Sequence, residues 1–256
     1  MGRYTGAGYV NLGVGTSVSA RLDVTGGVNA NTSPTGATCT WTVPTGVTCA
    51  TFEVWGGGGA GGTRCCNDCY GGVPGAPGGY TTKTIAVTAG SQYVLVAGAG
   101  GSGNSPPSMA PPPALSCAGE TSYVTGSGLT SFCATGGSGG YRCTNCLNMG
   151  THRSGGQGYG GDLCASCTPR YTYNDQCADL SYCGIRVGQG PMFGGQQMNW
   201  GTDTVYGTNS QGDYRCHGQN GNFPGGGGGP NTTCCCLANF EQCPGHGANG
   251  LVRVTW

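Results

Sequence analysis

The chain has 256 residues, of which 56 are Gly and 14 are Pro, while only 8% are charged and ten basic residues balance ten acidic ones. That balance excludes the high net charge of an intrinsically disordered chain and the clustered Lys and Arg of a nucleic-acid binder, so no nucleic acid is expected as a partner. No run approaches the roughly 20 apolar residues that cross a bilayer, and the opening residues lack the apolar core of a secretory signal, so neither membrane insertion nor a cleaved leader is expected.

In chain order, residues 1–36 read as an N-terminal attachment or assembly arm with two short strand candidates, 9–12 and 17–24. A strand-bearing arm suits addition to a neighbour's sheet edge. Residues 37–256 read as one glycine-rich β domain. Its strands are predicted at 38–43, 49–55, 80–87, 92–97, 120–124 and 251–256 by alternation of apolar and polar residues. Phe52 and Val54 fall on one face of the second of these, and Thr51, Glu53 and Trp55 on the other. No window sustains a 3.6-residue apolar period, so the fold class expected is all-β: a small antiparallel β-sandwich carrying long glycine-rich, Cys-rich loops.

Strand signals thin out over a loop-rich insert at about 125–250, where Gly runs stand at 136–140, 155–161 and 225–229. Such runs have one ordered solution. Glycine can form an extended helix of three residues per turn, like polyproline II, whose N–H and C=O groups point outward to parallel neighbours because no side chain blocks their approach. Packed polyglycine-II-like helices are therefore expected among the loops.

Eighteen Cys are present, with CxxC pairs at Cys66/Cys69, Cys143/Cys146 and Cys164/Cys167, followed by Cys234, Cys235, Cys236 and Cys243. Two chemistries fit. The pairs Cys143/Cys146 and Cys164/Cys167 have the spacing of a zinc tetrathiolate. The irregular placement of the others and their even total favour disulfides formed after synthesis. Cys39, Cys49, Cys117 and Cys133 are candidates to link scaffold to loops, with a connectivity that spacing does not define. No cofactor and no catalytic activity are expected. His152, His217 and His246 stand in no acid–base motif, Gly245-His246-Gly247 reads as a glycine turn, and the Gly-rich run at 98–103 lacks the Lys-Ser/Thr pair of a phosphate loop.

The segment Thr40-Trp41-Thr42-Val43-Pro44-Thr45-Gly46-Val47, followed by Phe52-Glu53-Val54-Trp55-Gly56-Gly57-Gly58-Gly59-Ala60-Gly61-Gly62, resembles the opening of the glycine-rich domain of bacteriophage tail fibres and adhesins. Gly78-Gly79-Tyr80 leading through Lys83-Thr84-Ile85-Ala86-Val87 to Gln92-Tyr93-Val94-Leu95-Val96-Ala97 resembles its middle strands, and Gly250-Leu251-Val252-Arg253-Val254-Thr255-Trp256 its closing strand. The resemblance implies a virion surface protein, made in the host cytoplasm and working outside the cell. Its partners would be other virion subunits, further copies of itself and a host-cell surface receptor met by the loops. Tyr and Trp offer rigid contact area and Gly, Ser and Asn adaptable hydrogen bonding, so Tyr171, Tyr173, Trp200 and Tyr206 in the loop-rich half are the receptor-binding candidates. A non-catalytic decoration or cement protein on a capsid, tube or filament is the alternative, and a zinc-stabilised binding module a third.

Overall fold

Alternating side chains and glycine runs divide the molecule into two kinds of structure. A computed structural model describes residues 9–12, 20–27, 34–62, 75–103, 117–140, 155–165, 207–208, 214–216, 220–229, 232–233 and 245–256. No helix occurs among them. The strands are β1 (Tyr9–Leu12), β2 (Arg21–Thr25), β3 (Ala37–Thr42), β4 (Cys49–Trp55), β5 (Tyr80–Ala86), β6 (Gln92–Ala97), β7 (Ser122–Thr125), β8 (Cys133–Ala134), β9 (Gly158–Tyr159), β10 (Leu163–Ala165), β11 (Gly207–Thr208), β12 (Tyr214–Cys216), β13 (Thr232–Thr233) and β14 (Leu251–Thr255).

They pair antiparallel into one sheet of order β1-β2-β14-β4-β5-β10, a second of order β3-β6-β7-β8-β9, and a small sheet β11-β12-β13. The all-β sandwich expected from the sequence is what forms. Its core follows from the period of two. Leu22, Val254 and Phe52 lie in register across β2, β14 and β4, with Val24, Val252 and Val54 in the next inward row. These meet Trp41, Tyr93, Leu95 and Val124 from the second sheet and Phe132 just before β8. Phe52 packs edge-on to Trp41 with ring centres 5.8 Å apart, and Trp256 joins the same cluster 5.0 Å from Trp41. Residues 21–25, assigned by sequence to an N-terminal arm, thus form an inner strand of the first sheet, and Leu22 and Val24 are core residues.

The glycine runs do form packed helices of the polyglycine II kind. Residues 56–61 continue β4 and are buried throughout. Their N–H groups turn to three neighbours in strict rotation: Gly56 and Gly59 donate to Gly79 and Ala76, Gly57 and Ala60 to Glu120 and Cys117, and Gly58 and Gly61 to Ala248 and Gly245, all at 2.9–3.0 Å. Their carbonyls accept from three others. Gly57 and Ala60 take the N–H of Gly137 and Gly140, Gly58 that of Gly101, and Gly59 that of Gly228. A three-residue period with outward-pointing groups is the polyglycine arrangement.

The six surrounding segments also bond to one another and close a ring. Ala76 donates to Ser138, Gly119 to Gly137, Glu120 to Ala99, Gly247 to Gly101, Ala248 to Gly226, and Gly75 to Gly228. Around residues 56–61 the order is therefore 75–79, 135–140, 117–121, 98–103, 245–250 and 225–229. Segments that receive N–H groups from the centre alternate with segments that supply them. Most of these segments are direct extensions of sandwich strands: 75–79 enters β5, 98–103 leaves β6, 117–121 enters β7, 135–140 leaves β8 and 245–250 enters β14. At several glycines the space between them admits no side chain. A Cβ on Gly57, Gly59, Gly137 or Gly247 would overlap a backbone carbonyl of the neighbouring segment.

Where a segment lacks a glycine neighbour, side chains take its place. In 98–103, Gly98 donates to Ser122 Oγ (2.9 Å), Ala99 to Glu120 Oε2 (3.0 Å), Gly100 to Asn249 Oδ1 (2.8 Å) and Gly103 to His246 Nδ1 (3.0 Å). His246, expected from sequence in a glycine turn, is instead buried in the extended 245–250 segment. Its backbone N–H donates to Asn220 Oδ1 at 2.9 Å and its carbonyl accepts from Gly221.

Two outcomes follow from this packing. Gly59→Ala must displace the Ser138 carbonyl, combining overpacking of about 1–3 kcal/mol with backbone groups left unpaired at about 1–3 kcal/mol each. It is expected to yield little folded protein by circular dichroism. Gly46→Ala, at a φ of 87° with open space around the position, costs about 1 kcal/mol and lowers Tm by a few degrees. Burial also holds His246 below the ordinary histidine value of 6.5, so the folded state keeps Nδ1 free to accept from Gly103. A depressed folded value gives stability that is complete above the unfolded value and declines as pH falls beneath it. Between pH 7.5 and 5.5, the Tm of the wild type is expected to fall more steeply than that of His246→Gln.

Candidate functional site

The two ends of the sandwich are built differently. At one end the strands are joined tightly, by residues 43–48 between β3 and β4, 87–91 between β5 and β6, and 126–132 between β7 and β8. Val47 donates to the Pro44 carbonyl, Ser91 to Thr88 and Leu129 to Gly126, each closing a turn. At the other end the strands run on as glycine helices. Residues 63–74, 104–116, 141–154 and 230–244 each connect one glycine segment to another. These four stretches, three of which carry Cys, thus depart from the glycine-rich end, where the hydrogen-bonded ring holds the backbone.

The receptor-binding candidates Tyr171, Tyr173, Trp200 and Tyr206 lie outside the described residues, as do Cys66, Cys69, Cys143, Cys146, Cys167, Cys234, Cys235, Cys236 and Cys243. Cys164 is described. It sits exposed on β10 as a free thiol, its Sγ 3.4 Å from Thr81 Oγ1 and donating to the Gly161 carbonyl at 3.7 Å. Cys39, Cys49, Cys117 and Cys133 are free thiols as well, so none of the four joins scaffold to loop in this structure. Among the described residues, no three His, Cys, Asp or Glu side chains come together as a metal site.

The outer faces of the two large sheets contrast in charge. On the first, Asp23, Arg253 and Glu53 lie side by side across β2, β14 and β4. Arg253 pairs with Asp23 at 2.8 Å and approaches Glu53 at 3.9 Å, Arg21 pairs with Asp23 at 3.0 Å, and Tyr80 donates its hydroxyl to Glu53 at 2.9 Å. The Arg253 guanidinium stands 5.5 Å from the centre of the Trp55 ring. Burial, with the Glu53 carboxylate second, pushes the Tyr80 phenol up to about 12. Trp55, Tyr80 and Leu251 form a small buried cluster beside this row. The charges here are committed to one another.

The second sheet presents no charge on its outer face. Thr38, Thr40 and Thr42 of β3, Gln92, Val94 and Val96 of β6, Tyr123 and Thr125 of β7, Cys133 of β8 and Tyr159 of β9 point outward. Val94 is 37% exposed, Tyr123 38% and Tyr159 43%. The Tyr159 hydroxyl donates to Gln157 Oε1 at 2.7 Å, which fixes its ring. Sequence reasoning passed over this face. The alternation in β6 and β7 already put Val94 and Tyr123 opposite the core residues, whereas β9, a two-residue strand inside a glycine run, gave no signal of its own.

A family model described as a glycine-rich domain matches residues 32–256. A search of curated proteins finds no match. The matched span contains the whole glycine ring and every strand of both large sheets except β1 and β2, and by that match the chain belongs to the glycine-rich domain family.

Proposed function

We propose that the protein is a virion surface component, a tail-fibre tip or adhesin unit that displays loops to a host-cell receptor and performs no catalysis. The observation that carries this reading is the asymmetry of the two ends. Short turns close one end, and the longer stretches are inserted at the other on a ring of segments hydrogen-bonded to one another and to a central helix. A rigid base reduces the entropy lost when displayed loops bind, and loops on a fixed scaffold are where recognition residues concentrate. Tyr70, Tyr141 and several Asn and Ser stand in these stretches, residue types suited to contact surfaces. The resemblance of the strand and glycine motifs to tail-fibre domains supports the same reading. Attachment to neighbouring virion subunits falls to the turn-bearing end and to residues preceding β2.

Two measurements test it. Gold-labelled antibody against the chain should mark the tips of tails or fibres in electron micrographs of particles that carry it. Even labelling along a capsid, tube or filament would replace the adhesin reading with a decoration role. In parallel, purified protein should block infection of susceptible cells, and a variant with residues 141–154 replaced by a Gly/Ser linker should lose that blocking while keeping its Tm.

A further inference from the structure

The uncharged outer face of the β3-β6-β7-β8-β9 sheet is a surface the loop reading does not use. None of its ten outward side chains is Asp, Glu, Lys, Arg or His, and burial pushes the thiol of Cys133 up, so that position stays neutral too. A charged ligand seated there would lose hydration without gaining a counter-charge, which is unfavourable. What the face does offer is two tyrosine rings among hydroxyls and one amide. Tyr123 and Tyr159 are both in register with Cys133, from the strands on either side of it. Two strand spacings put their backbones about 10 Å apart, with the smaller Cys133 between them. Thr125 follows Tyr123 on the same face of β7, and Thr38, Thr40, Thr42 and Gln92 continue the face toward β3, supplying hydrogen-bond donors and acceptors.

A surface of flat aromatic rings, hydroxyls and no charge matches a ligand that alternates apolar ring faces with hydroxyl groups. An extended sheet face suits a polymer passing over it better than a small molecule, which takes a pocket. A second copy of the chain fits less well. Three partly exposed apolar side chains, Val94, Tyr123 and Tyr159, offer on the order of 200–300 Å², against the roughly 800 Å² per partner that a stable pair buries. We propose that this face binds a neutral polysaccharide, with sugar rings stacked on Tyr123 and Tyr159 and hydroxyls bonded to the flanking threonines. The surface lies on the sandwich and not on the inserted loops, so it stands whether or not those loops meet a receptor.

The test is native electrophoresis of the full chain through gels cast with hydroxyethyl cellulose, dextran, mannan or galactan, with dextran sulfate as the charged counterpart. At least one neutral polymer should retard the protein and dextran sulfate should not. Tyr123→Ala and Tyr159→Ala should each weaken the retardation at least tenfold, Tyr123→Phe should keep it, and Thr51→Ala on the opposite sheet should leave it unchanged. Tm reports on folding, and if Tyr123→Ala does not fold, Val94→Lys, on the same face, reads the site instead. Absence of retardation in all four neutral gels overturns the proposal, as does retardation that survives both alanine variants. A dimer in sedimentation that these variants dissolve would also overturn it and assign the face to self-association.

Discussion

Every peptide group in a glycine helix of this kind must find its partner on another segment. An α-helix satisfies its own backbone and a strand needs one neighbour on each side, whereas residues 56–61 distribute their N–H and C=O groups among six. The requirement explains the composition. At the closest approaches a side chain would part donor from acceptor, so positions such as Gly57, Gly59, Gly137 and Gly247 have to be Gly, whereas Ala60, Ala76, Pro77, His246 and Asn249 are buried where space remains. It also explains why the helices stand on a sandwich. Isolated glycine segments have the largest entropy to lose on ordering, and strands already aligned by an apolar core deliver them side by side.

The join between the two parts is where this becomes visible. Thr25 donates its hydroxyl to the Gly250 carbonyl at 3.0 Å, Ser122 receives Gly98, and Asn249 links Gly100 to the Gly27 carbonyl at 3.1 Å. Each of these polar side chains lies at the last turn of strand or the first of glycine helix. Ser122 and Asn249 are buried, and a buried polar group is tolerated when its bonds are made. They carry the hydrogen bonding from a two-sided to a six-sided pattern.

Much of the sandwich was legible because the alternation that defines a strand also defines its buried face. The strand expected at 49–55 is β4, and that at 92–97 is β6. The glycine helices were legible as a type, since few other ordered states are open to such runs. Their arrangement was not. Which segment meets which depends on the strand order β2-β14-β4-β5, and nothing local in residues 245–250 shows that they neighbour residues 56–61. The same blindness hid the role of β2, whose pairing with β14 joins residues more than 220 positions apart, and of His246, whose burial comes from segments distant in sequence. The tyrosine face of the second sheet was half legible, in β6 and β7 but not in β8 and β9.

The threefold rotation of the central helix gives each residue an address. Gly56 and Gly59 face one neighbour, Gly57 and Ala60 the next, Gly58 and Gly61 the third. Adding or removing a single residue would move every later residue to its neighbour's address and make the chain leave the column a third of a turn away from the strand or stretch that follows it. Only a change of three residues brings the exit back to the same side, at the cost of a longer or shorter column. Genetic drift in such a protein is therefore quantised along the glycine segments and free in the stretches that join them. The number of residues between strand and loop is constrained as tightly as their identity.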